Sequence, residues 1–130
     1  MTTHPIKPSA SPAAPHWYVT TAIPYVNARP HIGFALEIAL TDALARYHRL
    51  KGERVWFLTG TDENSLKNVQ AAEREGISTQ QLVDRNAAQY EGLRAPLNLS
   101  FDQFIRTSTD PSHLAGVQKL WQACDRHGDI

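Results

Sequence analysis

The stretch WYVTTAIPYVNARPHIGFALEIALTDALARYHRLKGERVWFLTG, residues 17–60, decides the fold. Trp17 to Thr21 is β-branched and aromatic, which suits a strand. A loop carrying Pro24 and Pro30 follows. From His31 to Lys51 the apolar residues fall at Ile32, Leu36, Ala39, Ala43, Tyr47 and Leu50, in steps of three and four that predict one buried face of a helix. Asp42 and Arg46 stand four apart on the other side as a supporting charge pair. Pro30 fits the helix start and Gly52 the stop. Arg54 to Gly60 is a near-continuous apolar run ending in glycine, the pattern of a strand covered on both faces.

Working outward, a shorter helix is predicted from Ser65 to Glu75, closed by Gly76. Ser78 stands three residues before Gln81, a capping box that opens a helix reaching Leu93, with Pro96 ending the element. Gln103 to Thr107 reads as a third strand, and Asp110 followed by Pro111 marks another helix start. The stripe of that last helix is Leu114, Val117, Trp121 and Cys124, expected in the core, and Gly128 closes it. Strands alternating with helices imply parallel strands and right-handed crossovers, so the expected fold is α/β, a parallel three-stranded sheet flanked by helices. Residues 1–15 hold four prolines and almost no large apolar side chain, which predicts a disordered tail. Gly128-Asp129-Ile130 stop where a new strand would begin, the pattern of a truncated unit.

With 130 residues, the chain supports one domain. Thirteen basic and thirteen acidic side chains cancel, which argues against a protein held to DNA by bulk charge. One cysteine cannot form an internal disulfide, so a reducing, cytoplasmic setting is expected. No apolar run approaches the roughly 20 residues that cross a bilayer, and the N-terminus lacks the apolar stretch of a signal peptide.

Ligands of an open parallel sheet sit outside the carboxyl ends of its strands. Two loops are expected there: AIPYVNARPHIGF (Ala22 to Phe34) and TGTDENS (Thr59 to Ser65). His31 and Gly33 occupy the opening turn of the first helix, where free N–H groups and the helix dipole suit a phosphate. Gly33 lets a base or ribose approach the backbone, and His31 is placed to donate to a phosphoryl oxygen. A surface histidine and a packing glycine are the plainer alternative. Tyr25 at the core edge, Asp62 as a helix cap and Glu37 as a solvated helix residue are the corresponding alternatives for those positions.

PYVNARPHIGF, containing Pro24, Tyr25, Asn27, Pro30, His31, Ile32, Gly33 and Phe34, resembles the PYxNGxPHxGH segment of class I aminoacyl-tRNA synthetases, in detail that of the methionyl-tRNA synthetase family. FLTGTDEN, thirty residues on, is similar to that family's FLTGTDEH segment. The resemblance runs from His16 to Ile130 and implies the first half of a Rossmann-like catalytic domain, truncated before the connective insertion. It implies ATP-dependent activation of methionine and transfer of the methionyl group to tRNA(Met), with ATP bringing Mg2+ and no metal ligands in this segment. By the same resemblance His31 is catalytic and lies with Gly33, Phe34 and Glu37 on the ATP side. Ile23 and Tyr25 would line the methionine pocket, and Asp62 would pair with the α-ammonium.

Three departures from the family pattern matter. Phe34 replaces a histidine and cannot donate to a phosphate oxygen, Asn64 replaces a histidine, and Ser65 replaces a glycine. Losing one transition-state donor costs about 3 kcal/mol where nothing replaces it. The orderly run TGTDENSLKNVQAAEREGI fits a divergent branch that accommodates Phe34. No lysine-rich KMSKS-like loop follows, and Lys67 lies in the wrong context to replace it. The chain is therefore expected to hold half of a split site, with the C-terminal part of the synthetase as partner and little activity alone. Two other readings remain: a small HxGH-type nucleotidyltransferase, and a non-catalytic partner docking on tRNA or on a separate synthetase remainder.

Overall fold

A computed structural model describes residues 14–130. Most of the expected disordered tail, residues 1–13, lies outside the described residues. The elements are β1 (His16–Thr20), α1 (Ile32–Leu50), β2 (Arg54–Thr61), α2 (Leu66–Glu75), α3 (Thr79–Glu91), β3 (Gln103–Arg106) and α4 (Pro111–His127). All three strands are parallel, in the order β1-β2-β3. Two right-handed crossovers in that order place their helices on the same face of the sheet. The side chains bear this out: Trp17, Val19, Val55 and Phe57 alternate toward a core of Phe34, Ile38 and Ala45 from α1 and Val83, Ala87 and Tyr90 from α3. The capping box is present at the start of α3, where Ser78 accepts from the Gln81 N–H at 3.2 Å and Gln81 accepts from the Ser78 N–H at 3.0 Å.

The buried face of α1 is not the one that apolar spacing selects. Phe34, Ile38, Thr41, Asp42 and Ala45 are buried, while Ile32, Leu36, Tyr47 and Leu50 are exposed and Ala39 and Ala43 lie on the open side with them. The helix carries two apolar stripes, and the buried one contains a threonine and an aspartate that hydropathy counts against burial. Asp42 is therefore not a solvated partner of Arg46. Its carboxylate accepts from Arg46 Nε at 2.5 Å and from both the Ser100 N–H and the Ser100 hydroxyl at 2.6 Å. Arg49 adds Ser100 Oγ at 2.6 Å and Asp102 at 2.8 Å, and Asp102 in turn accepts from the Phe57 N–H at 2.7 Å. This network joins α1, the segment before β3, and β2.

β2 and β3 approach closely. A Cβ on Gly60 would lie 2.1 Å from the Ile105 carbonyl oxygen, so no other residue fits without moving backbone. Among the described residues, nothing covers the opposite face of the sheet. Tyr18 and Trp56 are exposed, Trp56 to 50%, so β2 is covered on one face rather than two. α4 likewise has no buried residue. Leu114, Val117 and Trp121 are exposed, Trp121 to 65%, and Cys124 is half-buried, so the expected core stripe is a surface stripe here. The strand and helix patterns record faces that this chain does not itself cover. No helix among the described residues is long and apolar enough to cross a membrane.

Two stability predictions follow from this packing. Gly60→Ala lowers the unfolding free energy by about 2 kcal/mol or more, the scale of overpacking a tight contact. Gly92→Ala, with nothing within 4 Å of the added carbon, changes it by less than about 0.5 kcal/mol. Chemical denaturation of both variants checks the contrast, and equal effects would refute the close approach at Gly60. For Asp42, burial alone would raise the carboxyl pKa, but the Ser100 hydroxyl, Arg46 and the Ser100 N–H together hold it below its ordinary 3.8. A depressed carboxyl contributes stability above its unfolded pKa and loses it as pH falls through the folded value. The native chain therefore loses stability below about pH 4 more steeply than Asp42→Asn does. Parallel acid titration curves for the two proteins would contradict this.

Candidate functional site

The two loops meet because strand pairing continues beyond the strands. Thr21 Oγ1 lies 2.7 Å from Thr59 Oγ1, both buried. Three residues further on, the Asp62 N–H donates to the Pro24 carbonyl at 2.9 Å, and Tyr25 and Asp62 form a parallel bridge. The first loop is pinned at two more points. The Ala22 N–H donates to Glu37 Oε1 at 2.7 Å, and the buried Asn86 of α3 donates from Nδ2 to the Val26 carbonyl at 2.7 Å. Glu37 is thus an exposed α1 residue that fixes the start of the loop.

His31 is the N-cap of α1, and its Nδ1 accepts from the Gly33 N–H at 3.0 Å. That bond leaves the proton of the neutral ring on Nε2, the nitrogen free to donate outward. A Cβ on Gly33 would sit 2.9 Å from His31 Cε1, so the missing side chain makes room for the imidazole itself. Phe34 does not belong on the ATP side. Its side chain is 4% exposed and meets Tyr90 edge-on at 5.0 Å between ring centres, so the ring fills the core between α1 and α3. An apolar ring gains from this burial, where an imidazole would need a partner.

Of the other two departures, Ser65 caps α2 by accepting from the Lys67 N–H at 3.1 Å, whereas Asn64 contributes only its backbone N–H, which any residue but proline would supply, to Asp62 Oδ1 at 3.1 Å. Asp62 therefore does not cap α2. Lys67 lies over the Tyr25 ring at 5.7 Å, a cation–π contact at the rim of the first loop.

Ile23, Asp62 and Asn64 share a cleft of about 410 Å³ with Thr107, His113, Leu114 and Val117. It has an acid at one wall, a histidine at another and an apolar side, a combination suited to a small molecule with a cationic group and an apolar part. Ile23 and Asp62 thus come together as expected, while His31 and Gly33 stand at the α1 start on the other loop. Thr107 and His113 were missed by the sequence reading. Their signal was the position of TSTDPSH (Thr107 to His113) directly after β3, because the carboxyl-end rule applies to every strand of a parallel sheet. Next to Asp62, the buried Glu63 pairs with Arg106, which also binds Asp84 at 2.5 Å. The Glu63 carboxylate pushes the Arg106 guanidinium up, and Arg106 holds the Asp84 carboxyl below its usual range. Among the described residues, no group of three histidine, cysteine, aspartate or glutamate side chains is arranged to hold a metal ion.

Comparison with known proteins places this geometry. The family model described as tRNA synthetases class I (M) matches residues 17–130. A methionine–tRNA ligase of Mycobacterium leprae is 51% identical over 114 residues, 88% of this chain and 21% of the relative. One of Brucella suis is 48% identical over the same share of this chain and 22% of its own. The structure of Mycobacterium tuberculosis methionyl-tRNA synthetase in complex with methionyl-adenylate superposes with a TM-score of 0.83 at 47% identity, covering 88% of this chain and 22% of that one. The chain therefore spans about a fifth of the length of the relatives it matches. With a parallel sheet, two joined carboxyl-end loops and a family match over nearly all its described residues, the chain belongs to the class I tRNA synthetases of the M group.

Proposed function

We propose that this chain is the first half of the active site of a methionine–tRNA ligase. The observation that supports the reading is the Tyr25–Asp62 bridge, which joins the loop leading to the histidine-capped helix start to the acidic loop. A relative of the same fold, 47% identical, holds methionyl-adenylate. In the reaction a carboxylate oxygen of methionine attacks the α-phosphorus of ATP, pyrophosphate leaves, and the methionyl group then passes from AMP to the tRNA(Met) 3′ end. Asp62 attracts the substrate α-ammonium, and Ile23 and Tyr25 offer apolar surface to its side chain. His31 Nε2 donates to a phosphoryl oxygen as charge builds there, and Gly33 keeps the ring in place. Such groups act chiefly by alignment and charge stabilisation. Mg2+ would arrive with the phosphates of ATP as part of the substrate.

Half a site calls for its complement. The open face of the sheet at Tyr18 and Trp56, and the apolar side of α4 at Leu114, Leu120 and Trp121, would be covered by the C-terminal part of the synthetase. A cytoplasmic setting belongs to the same reading. Docking on a separate remainder would use these same surfaces, so the uncovered faces also support the non-catalytic partner reading.

The test is methionine-dependent exchange of pyrophosphate into ATP by the full-length polypeptide that carries this segment. His31→Ala is expected to slow exchange by about 100-fold, the scale of one lost transition-state donor. Asp62→Asn is expected to raise the methionine KM by about 10-fold or more with the ATP KM nearly unchanged. Exchange that does not depend on methionine would sink the reading.

A further inference from the structure

Glu63 adjoins Asp62 in the chain, yet its side chain is wholly buried. Its carboxylate accepts from Arg106 Nε at 2.5 Å and Nη2 at 3.1 Å, from the Thr61 hydroxyl at 3.1 Å and from the Ser108 hydroxyl. Its N–H donates to Thr107 Oγ1 at 2.9 Å, and its carbonyl accepts from Asn68 Nδ2 of α2 at 2.9 Å. Every polar atom of the residue is engaged, by partners on β2, α2, the end of β3 and the segment after it. A buried ion pair is a poor means of raising stability, because desolvation offsets most of its attraction. It does fix geometry.

The geometry it fixes is that of Asp62. On one side the Asp62 N–H is held by Pro24, and on the other the peptide to Glu63 is held by Thr107 Oγ1. With both flanking peptides anchored, the bond from Cα to the Asp62 side chain has one direction. Thr107, which anchors the second peptide, also lines the cleft. We propose that Glu63 is a positioning residue of the amino-acid site: its clamp on Arg106, Thr107 and Ser108 aims the Asp62 carboxylate and ties the segment after β3 to the same cleft. The inference rests on the reading of Asp62 as partner of the substrate ammonium.

A mutant cycle in the full-length polypeptide separates positioning from structure. Glu63→Gln is expected to raise the methionine KM by about 10-fold with the ATP KM changed less than about two-fold. In an Asp62→Asn background the same change should add less than about two-fold, because it acts through Asp62. Equal rises in both KM values, or a full effect without the Asp62 carboxylate, would overturn the proposal. Ser108→Ala keeps the ion pair and should show the same pattern at about a third of the size, which covers a Glu63→Gln that folds poorly. A wild-type polypeptide without methionine-dependent exchange defeats the functional reading instead, and the clamp is then judged by amide hydrogen exchange on the 130-residue chain. There Glu63→Gln and Ser108→Ala should speed exchange at Asp62 and Glu63 by about 10-fold and several-fold, with Phe57 unchanged. Uniform acceleration, or none, overturns the clamp.

Discussion

The bridge between Tyr25 and Asp62 is the constraint on which the rest of the site depends. Parallel strands leave a sheet at the same end, but their loops are free to diverge. Here the loop after β1 is drawn back to β2 by the Thr21–Thr59 hydroxyl contact and by the Asp62 N–H on Pro24. Only then does the chain turn into α1, with His31 as its cap. Without that return, the two loops would not be joined beyond the ends of the strands.

The anchoring is polar where a sheet core is ordinarily apolar. Thr59, Thr61 and Glu63 follow one another on alternate residues, toward the side that carries Phe57 lower in the strand. Each finds a partner: Thr21, Glu63 and Arg106. At the other end of the fold, Asp42, Ser100, Arg49 and Asp102 join α1 to the chain before β3. A buried carboxylate with its bonds made directs one arrangement over its alternatives, because each misplacement leaves an unpaired charge.

Much of this was legible in the sequence. Residue composition, helical spacing and cap signals located the three strands and four α-helices of the described residues, and the Ser78 capping box and the Asp110-Pro111 start are where they were expected. Hydropathy failed where burial is decided by something other than an apolar side chain. It chose the Leu36 stripe of α1 because Thr41 and Asp42 lie on the buried one, and the Ser100 partner of Asp42 is more than fifty residues away. It placed Trp121 in the core because the spacing is sound, although none of the described residues covers that face. Phe34 was read from motif position as a ligand-side residue, whereas its chemistry sends it inward to Tyr90. Thr107 and His113 follow the third strand, and the carboxyl-end rule applied there as well would have drawn attention to them as cleft residues.

The claim that two loops form one ligand site is tested most directly by nuclear magnetic resonance. A non-hydrolysable methionyl-adenylate analogue would be titrated into the isotope-labelled chain. Concerted shifts at Ile23, Tyr25, His31 and Gly33 in one loop and at Asp62 and Asn64 in the other, saturating together, are expected. Shifts confined to a single loop, or scattered over the open sheet face at Tyr18 and Trp56, would contradict a shared site.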